Sequence, residues 1–150
     1  MLRGRFGDTT GRPYFEARVV FPRLEARENI SFLFDTGADS SVLMPLDTQR
    51  LGIDRSRLIE AGSATGIGGT QKRYIEPATV IFADEDLLYA YRIEIGIISP
   101  SPETMAVPSL LGRDIIDRWR VTYDKPGNTL SAHVVSATAR IPVGAANRDR

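Results

Sequence analysis

An apolar segment that ends abruptly at a carboxylate constrains this chain more than any other feature. The segment begins at Ile30 and reads I-S-F-L-F-D-T-G-A-D-S-S-V-L-M-P. Ile30, Phe32 and Phe34 alternate with the residues between them, which is the period of a half-buried strand. Asp35 therefore lies at a strand end, where we expect partial desolvation, and Gly37 permits a turn. Apolar residues resume soon afterwards, so the segment predicts a rigid loop that can hold a catalytic group.

The composition limits the function classes that are open to the chain. With 150 residues, of which 42% are apolar, it is long enough for one domain with its own core. Nineteen basic residues balance nineteen acidic ones, so the charge points neither to nucleic acid nor to an anionic membrane surface. The absence of cysteine excludes disulfides, thiolate catalysis and cysteine-ligated metals. No apolar run is long enough to span a bilayer or to form a signal peptide, and we expect a cytoplasmic location.

Periodicity predicts a mainly β chain. Strands are predicted over residues 14–21, 30–34, 57–64, 71–82, 88–98, 120–124 and 129–134. A charged loop over residues 22–29 would join the first two strands into an antiparallel hairpin. One or two helical turns are expected over 45–51, and apolar residues that recur every four positions predict a helix of two or three turns over 109–119.

The two ends of the chain lack such periodicity. We expect residues 1–13 to be a loose lead-in, because they are polar and contain glycine and proline. Residues 135–150 are rich in alanine, arginine and small polar residues, which predicts a flexible tail. No internal repeat stands out, so residues 14–134 are expected to form one domain.

Three glycines lie between two of the predicted strands, in the sequence T-G-I-G-G-T over residues 65–70. This run predicts a hairpin with a mobile tip, because glycine adopts turn conformations at little steric cost. A phosphate-binding loop is a poor alternative, since the G-x-G-x-x-G spacing and a following Lys-Ser or Lys-Thr pair are missing. A surface hairpin that merely needs glycine at its turn stays open as an interpretation.

Two motifs resemble those of one protein family. The apolar run followed by Asp-Thr-Gly-Ala-Asp resembles the active-site loop of the retropepsin-like aspartic proteases, the family of retroviral proteases and their cellular and bacterial relatives. The run L-L-G-R-D-I-I, which begins at Leu110, is similar to the Gly-Arg-Asp helix near the C-terminal end of that family. The glycine-rich hairpin lies between them, where the family has its flap. The resemblance implies a mainly β fold, a retropepsin-like closed β-barrel with a flap hairpin and one short C-terminal helix.

The resemblance also implies roles for individual residues. The implied catalytic residues are Asp35, Thr36 and Gly37. The implied substrate-binding residues are Ala38, Asp39, Gly66, Ile67, Gly68 and Gly69. Arg113 and Asp114 would support the site, with Arg113 paired to Asp39 as in relatives. Ser40 departs from the retroviral enzymes, which often have a second acid at this position, so the side-chain specificity stays open.

The implied activity is that of an aspartic endopeptidase, which cleaves peptide bonds with a water activated by two carboxylates that share a proton. The chain contains one Asp-Thr-Gly and no Asp-Ser-Gly. We therefore expect a twofold homodimer in which each subunit contributes Asp35. A polypeptide substrate and a second copy are the expected partners, and no cofactor is expected. The alternative is a catalytically silent retropepsin-like module that binds peptides or dimerises, because a fold does not determine a function.

Other catalytic candidates are weaker. His133 is the sole histidine, and no serine or cysteine motif accompanies it, so a structural role is favoured over a nucleophilic triad. One histidine, no cysteine and no calcium-loop spacing also argue against a metal site.

Overall fold

The computed structural model describes residues 1–66 and 69–146. The strands are β1 Leu2–Arg3, β2 Arg5–Phe6, β3 Pro13–Phe21, β4 Ala26–Phe34, β5 Val42–Leu43, β6 Ile59–Gly66, β7 Gly69–Ala83, β8 Leu87–Ile98, β9 Leu110–Leu111, β10 Trp119–Asp124, β11 Thr129–Val134 and β12 Ala139–Pro142. The helices are α1 Pro45–Leu51, α2 Arg113–Ile116 and α3 Val143–Ala146, and one 3-10 turn covers Arg55–Arg57. Strands predominate, which confirms the predicted mainly β class.

Six strands close into a barrel. Strand β3 pairs with β4 and with β7 in antiparallel orientation, and β4 pairs with β9 in parallel. Strand β9 then pairs with β5, β5 pairs with β8, and the pairing of β8 with β7 completes the ring. The closed barrel that the resemblance implied is therefore confirmed. Each of the six strands has a neighbour on both sides, and the β6–β7 hairpin extends from the ring.

The hairpin of β3 and β4 forms because its apolar residues alternate. Phe15, Ala17 and Val19 on β3 and Phe32 on β4 are buried, while Glu16 and Arg18 between the β3 residues are exposed. The predicted charged loop over 22–29 is wrong, because β4 already begins at Ala26. A tight turn suffices here, since Glu25 adopts a left-handed conformation with a φ of 52°.

Aromatic side chains fill the core where the barrel meets the C-terminal part of the chain. The Trp119 ring lies 5.2 Å from that of Phe15 and 4.9 Å from that of Phe82, centroid to centroid. Trp119 donates from Nε1 to the Tyr91 hydroxyl at 2.7 Å, and this hydroxyl donates to the Ser136 carbonyl oxygen at 3.0 Å. Burial raises the pKa of Tyr91. The Tyr91 hydroxyl thus joins the barrel strand β8 to Trp119 and to the segment that follows β11.

The helix predicted over 109–119 is much shorter in the structure. Only α2, Arg113–Ile116, is helical, and Leu110–Leu111 forms β9 instead. Leu111 lies opposite Phe34 in the parallel β4–β9 pair. The apolar residues four positions apart, Leu111, Ile115 and Trp119, lie in three successive elements, β9, α2 and β10. Each element buries one of them in the same core, so the spacing arises without a long helix.

Both chain ends take part in sheets, contrary to the expected lead-in and tail. Strand β1 pairs with β11, with Leu2 buried, and β2 pairs with β3. At the other end, β12 pairs with β8 over four residue pairs. These pairings join distant parts of the chain, so local composition did not reveal them.

An ion pair between a buried carboxylate and an exposed arginine supports the base of the β6–β7 hairpin. Glu76 on β7 is completely buried, and Arg23 in the β3–β4 turn donates from Nε to its two carboxylate oxygens at 3.2 and 3.0 Å. The Nη2 of Arg23 also donates to the Arg57 carbonyl oxygen at 2.6 Å, and Arg57 returns a bond to the Arg23 carbonyl oxygen at 2.6 Å. Because the buried Glu76 carboxylate would be poorly compensated without Arg23, the pair ties the hairpin base to the barrel.

The turn before β8 is held by one carboxylate. Asp84 accepts backbone N–H groups from Asp86 at 2.8 Å and Leu87 at 2.7 Å, and the Tyr89 hydroxyl donates to it at 3.2 Å. Burial alone would raise the pKa of Asp84. The hydrogen bonds from Leu87 and Asp86, together with the Met1 ammonium 3.1 Å away, outweigh burial and lower the pKa to about 2.

We expect Asp84→Asn to lower the free energy of unfolding at pH 7 by about 1 kcal/mol, because the amide loses the charge-assisted bonds. The folded pKa lies below the unfolded value of about 3.9, so this stabilisation is present above pH ~4 and is lost as the pH falls towards 2. Urea denaturation at pH 7 and pH 2 measures the difference. Asp86→Asn, an exposed carboxylate in the same turn, is the control. A deficit that is equally large at pH 2 would contradict the assignment.

No helix among residues 1–66 and 69–146 has the length and apolarity needed to cross a membrane.

Candidate active site

Asp35 lies directly after β4, on a loop that is anchored to the barrel through β4 and β9. Its backbone N–H donates to the Leu111 carbonyl oxygen at 3.1 Å, which continues the pairing of β4 with β9. The carboxylate folds over its own loop and accepts the Gly37 N–H at 2.9 Å through Oδ1. This local bond is possible because Asp oxygens reach the backbone two residues further on. The side chain is half-buried, as the sequence predicted for a strand end.

Gly37 is required by a close approach rather than by an unusual backbone angle. A Cβ at this position would lie 3.2 Å from Asp35 Oδ1, which is tighter than ordinary contact, and φ lies outside the left-handed region. Any side chain here would therefore press on the carboxylate that the loop presents. Thr36 and Gly37 are both exposed.

The Gly-Arg-Asp turn docks onto this loop through its backbone. The Arg113 N–H donates to the Ala38 carbonyl oxygen at 2.9 Å. Gly112 approaches the loop so closely that a Cβ would lie 2.6 Å from the Ser40 carbonyl oxygen and 2.8 Å from its Cα. The Gly112 N–H donates to Ser41 Oγ at 2.9 Å. The two motifs, more than seventy residues apart, thus form one unit.

Asp114 stabilises this unit from the side. It accepts the Ser41 N–H at 3.0 Å and the Ser41 hydroxyl at 2.8 Å, and Ser41 is completely buried. Arg113 pairs with Asp39, as the resemblance implied, but this pair is exposed, with 88% of the Asp39 side chain accessible. Of the two acids, Asp114 therefore makes the structurally important contact.

We expect Asp114→Ala to lower the free energy of unfolding by about 2 kcal/mol, because it leaves the buried N–H and hydroxyl of Ser41 without their acceptor. Asp39→Ala should cost less than about 1 kcal/mol, since solvent screens an exposed ion pair. Chemical denaturation of the two variants, side by side, measures both effects. Equal losses would contradict this ranking of the two carboxylates.

The β6–β7 hairpin carries the other residues that the sequence predicted for the site. Its strands remain paired as far as Gly66 and Gly69, which lie opposite each other in register. Ile67 and Gly68, which the sequence placed at the tip, lie outside the described residues. Arg73, further down β7, donates from Nη2 to Ser40 Oγ at 3.1 Å and so connects this hairpin to the Asp35 loop.

Sequence reasoning missed three polar residues that build the site. Ser41 and Ser109 are completely buried, and Ser109 Oγ accepts the Met44 N–H at 2.9 Å and donates to Asp47 at 2.6 Å. A serine inside an apolar run is a weak signal that could have identified Ser41. An arginine on a strand gives no signal of its contacts, so Arg73 could not have been found. Within the described residues, no cluster of three or more acids and histidines could hold a metal ion.

Comparison with known proteins finds similar structures. No family model and no curated protein matches the sequence. A retropepsin-like aspartic protease from Rickettsia conorii superposes with a TM-score of 0.59 at 22% identity, over 85% of this chain and 94% of that one. The chain has the retropepsin-like fold. The EIAV protease, solved with the inhibitor HBY-793, also superposes on this fold, with a TM-score of 0.51 at 22% identity over 74% of this chain and 90% of its own.

Three elements of the fold surround the Asp35 loop. Within the retropepsin-like barrel, the loop follows β4 and is braced by α2, while the β6–β7 hairpin reaches it through Arg73. Among the described residues, no second carboxylate forms a hydrogen bond with Asp35. Asp39 is paired with Arg113, and Asp114 is bound to Ser41. One chain therefore presents a single uncommitted acid in this loop.

Proposed function

We propose that this protein is an aspartic endopeptidase that acts as a homodimer. The observation that carries the proposal is the Asp35-Thr36-Gly37 loop, which presents its carboxylate on a retropepsin-like barrel and is braced by the Gly112-Arg113-Asp114 turn. Loops held by rigid strands position catalytic groups well. The substrate is a polypeptide bound in extended conformation.

The need for two carboxylates supports a dimer. Two acids close together cannot both ionise, so the pair holds one proton, and its two titrations belong to the pair. A twofold axis beside the exposed Thr36 would bring Asp35 of each subunit face to face. Within residues 1–66 and 69–146, the Thr36 hydroxyl makes no hydrogen bond in the single chain, and in the dimer it would tie the two loops together.

The chemistry follows from the shared proton. The ionised Asp35 takes a proton from a water molecule while the water oxygen bonds to the scissile carbonyl carbon. At the same time the protonated Asp35 donates a hydrogen bond to the carbonyl oxygen. The tetrahedral intermediate collapses when the C–N bond breaks and the leaving nitrogen accepts a proton from the pair. The products are a new carboxyl terminus and a new amine, and the pair again holds one proton.

The remaining predicted residues bind the substrate and support the loop. Ala38 and Asp39 would contact the substrate backbone beside Asp35. The flap residues, Gly66, Ile67, Gly68 and Gly69, would close over an extended peptide and add main-chain hydrogen bonds. Arg113 and Asp114 would hold the loop in its reactive geometry.

The proposal is tested by incubating the purified chain and the Asp35→Asn variant with a complex peptide library from mildly acidic to neutral pH. New termini are read by mass spectrometry, and the oligomeric state is measured by sedimentation. We expect the native chain to cleave peptides and the Asp35→Asn variant to cleave none. The cleavage rate should be higher at acidic pH, because the dyad must hold a proton. A dimer that binds extended peptides and cleaves none would instead identify a silent binding module.

A further inference from the structure

Arg73 places a positive charge where the β6–β7 hairpin meets the Asp35 loop. It lies on β7, four residues beyond Gly69, and its Nη2 donates to Ser40 Oγ at 3.1 Å. Ser40 follows Asp39 directly in the loop that carries Asp35. The guanidinium is therefore positioned at the side of the groove in which a bound peptide would run.

The charge of Arg73 has no acidic partner among the described residues. The ion pairs there do not include it, and its Nε is inaccessible to solvent and makes no hydrogen bond within that part of the chain. Of the acids in the Asp35 loop and the turn docked on it, Asp39 is paired with Arg113 and Asp114 is bound to Ser41, while Asp35 forms no ion pair among the described residues. Residues 63–71 of the hairpin contain no acid in their sequence. Such a partly desolvated cation is costly unless something neutralises it.

The barrel holds this side chain in place. A Cβ on Gly96 would lie 3.0 Å from Arg73 Nε and 2.8 Å from Val42 Cγ1, so the guanidinium packs closely against the Gly96 backbone. The Ser40 hydroxyl then fixes the far end of the guanidinium. A cation restrained at both ends loses little conformational entropy when it binds a carboxylate.

We infer that Arg73 and Ser40 form a subsite that selects an acidic side chain, Asp or Glu, in the peptide substrate. The guanidinium would donate charge-assisted hydrogen bonds to the substrate carboxylate. An acid at position 40, which retroviral enzymes often have, would neutralise Arg73 internally, whereas Ser40 leaves the charge for the ligand. This inference rests on the proposed endopeptidase function and assigns its substrate class.

The test uses peptides derived from a site cleaved in the library, synthesised in pairs with Glu or Gln at each position around the scissile bond. We expect the native dimer to prefer Glu at one position by at least about tenfold in kcat/KM. Arg73→Met should reduce that ratio to near one. Arg92→Met is the control and should keep the preference for Glu over Gln. Arg92 is exposed on β8, and it lies six residues, or about 20 Å, along the strand from Ile98, which pairs with Arg73.

Two further variants distinguish a lost charge contact from a misfolded protein. Ser40→Asp supplies an internal counter-charge and should also erase the preference for Glu. Arg73→Glu should reverse the preference at that position towards Lys over Gln. Thermal denaturation confirms that each variant is folded. Native cleavage without a charge preference, or a preference that survives Arg73→Met, overturns the inference and leaves the proposed function intact.

Binding separates this inference from the proposed function. The Asp35→Asn variant, which should not cleave, is titrated by fluorescence anisotropy with a fixed set of labelled extended peptides that carry Glu or Gln at each position in turn, chosen without reference to any cleavage site. If the native chain cleaves nothing, the endopeptidase proposal fails, and tighter binding of one Glu peptide that disappears with Arg73→Met still supports the acidic subsite. Equal binding of both peptides overturns it.

Discussion

Mixing native chains with Asp35→Asn chains is expected to reduce peptide cleavage as the square of the native fraction. In the proposed dyad each active unit would need one Asp35 carboxylate from each subunit, so a mixed dimer would lack the second one. In an equal mixture only about a quarter of the dimers keep both carboxylates if subunits exchange at random. The variant alone should lose activity by a factor on the order of 10³ or more, because the water has no base. Initial rates at constant total protein measure the curve.

The control for subunit mixing is Asp86→Asn, which removes an exposed carboxylate in the turn before β8. Mixing it with the native chain should leave the rate unchanged at every ratio. A rate that falls in direct proportion to the Asp35→Asn fraction would show that each chain acts by itself, which would overturn the dimeric dyad.

Gly112→Ala is expected to lower the free energy of unfolding by about 3 kcal/mol and to reduce kcat/KM at least ~100-fold. The new Cβ would lie 2.6 Å from the Ser40 carbonyl oxygen and 2.8 Å from its Cα. Both are backbone atoms, so no rotamer change relieves the overlap, and the Asp35 loop must shift away from α2. That shift would also weaken the bond from the Gly112 N–H to Ser41.

Gly144→Ala is the matched control for this substitution. A Cβ at Gly144 meets no atom within 4 Å, so we expect its stability to stay within about 0.5 kcal/mol of the native value. Urea denaturation and steady-state kinetics of both variants measure the effects. A Gly112→Ala protein with native stability and activity would contradict the close packing of the two motifs.

Local patterns predicted much of this fold. The alternation of Phe15, Val19 and Phe32 located the β3–β4 hairpin, since every second residue of a half-buried strand must be apolar. Pro45 and Gly52 marked the ends of α1, and Gly52 indeed adopts the left-handed conformation with a φ of 66°. These signals depend on a residue and its near neighbours alone.

The errors arose where distant segments compete with a local pattern. Leu110–Leu111 was assigned to a helix because apolar residues recur there every four positions, yet it forms β9 by pairing with Leu33 and Phe34. The tail that was expected to be flexible supplies β12, because β8 extends beyond its two-residue pairing with β5 and its first residues remain open to β12. Such pairings depend on which edge remains free after the barrel closes.

By itself the sequence determined that Asp35 follows an apolar strand, that a glycine-rich hairpin comes after it, and that a Gly-Arg-Asp motif with Gly112 and Arg113 lies in the C-terminal part of the chain. Only the tertiary structure decided how these parts meet. Ser41 and Asp114 are 73 positions apart, yet their hydrogen bonds join the two motifs. The contact of Arg73 with Ser40 likewise depends on barrel closure, because bonds between distant residues require the whole ring of strands to bring their atoms together.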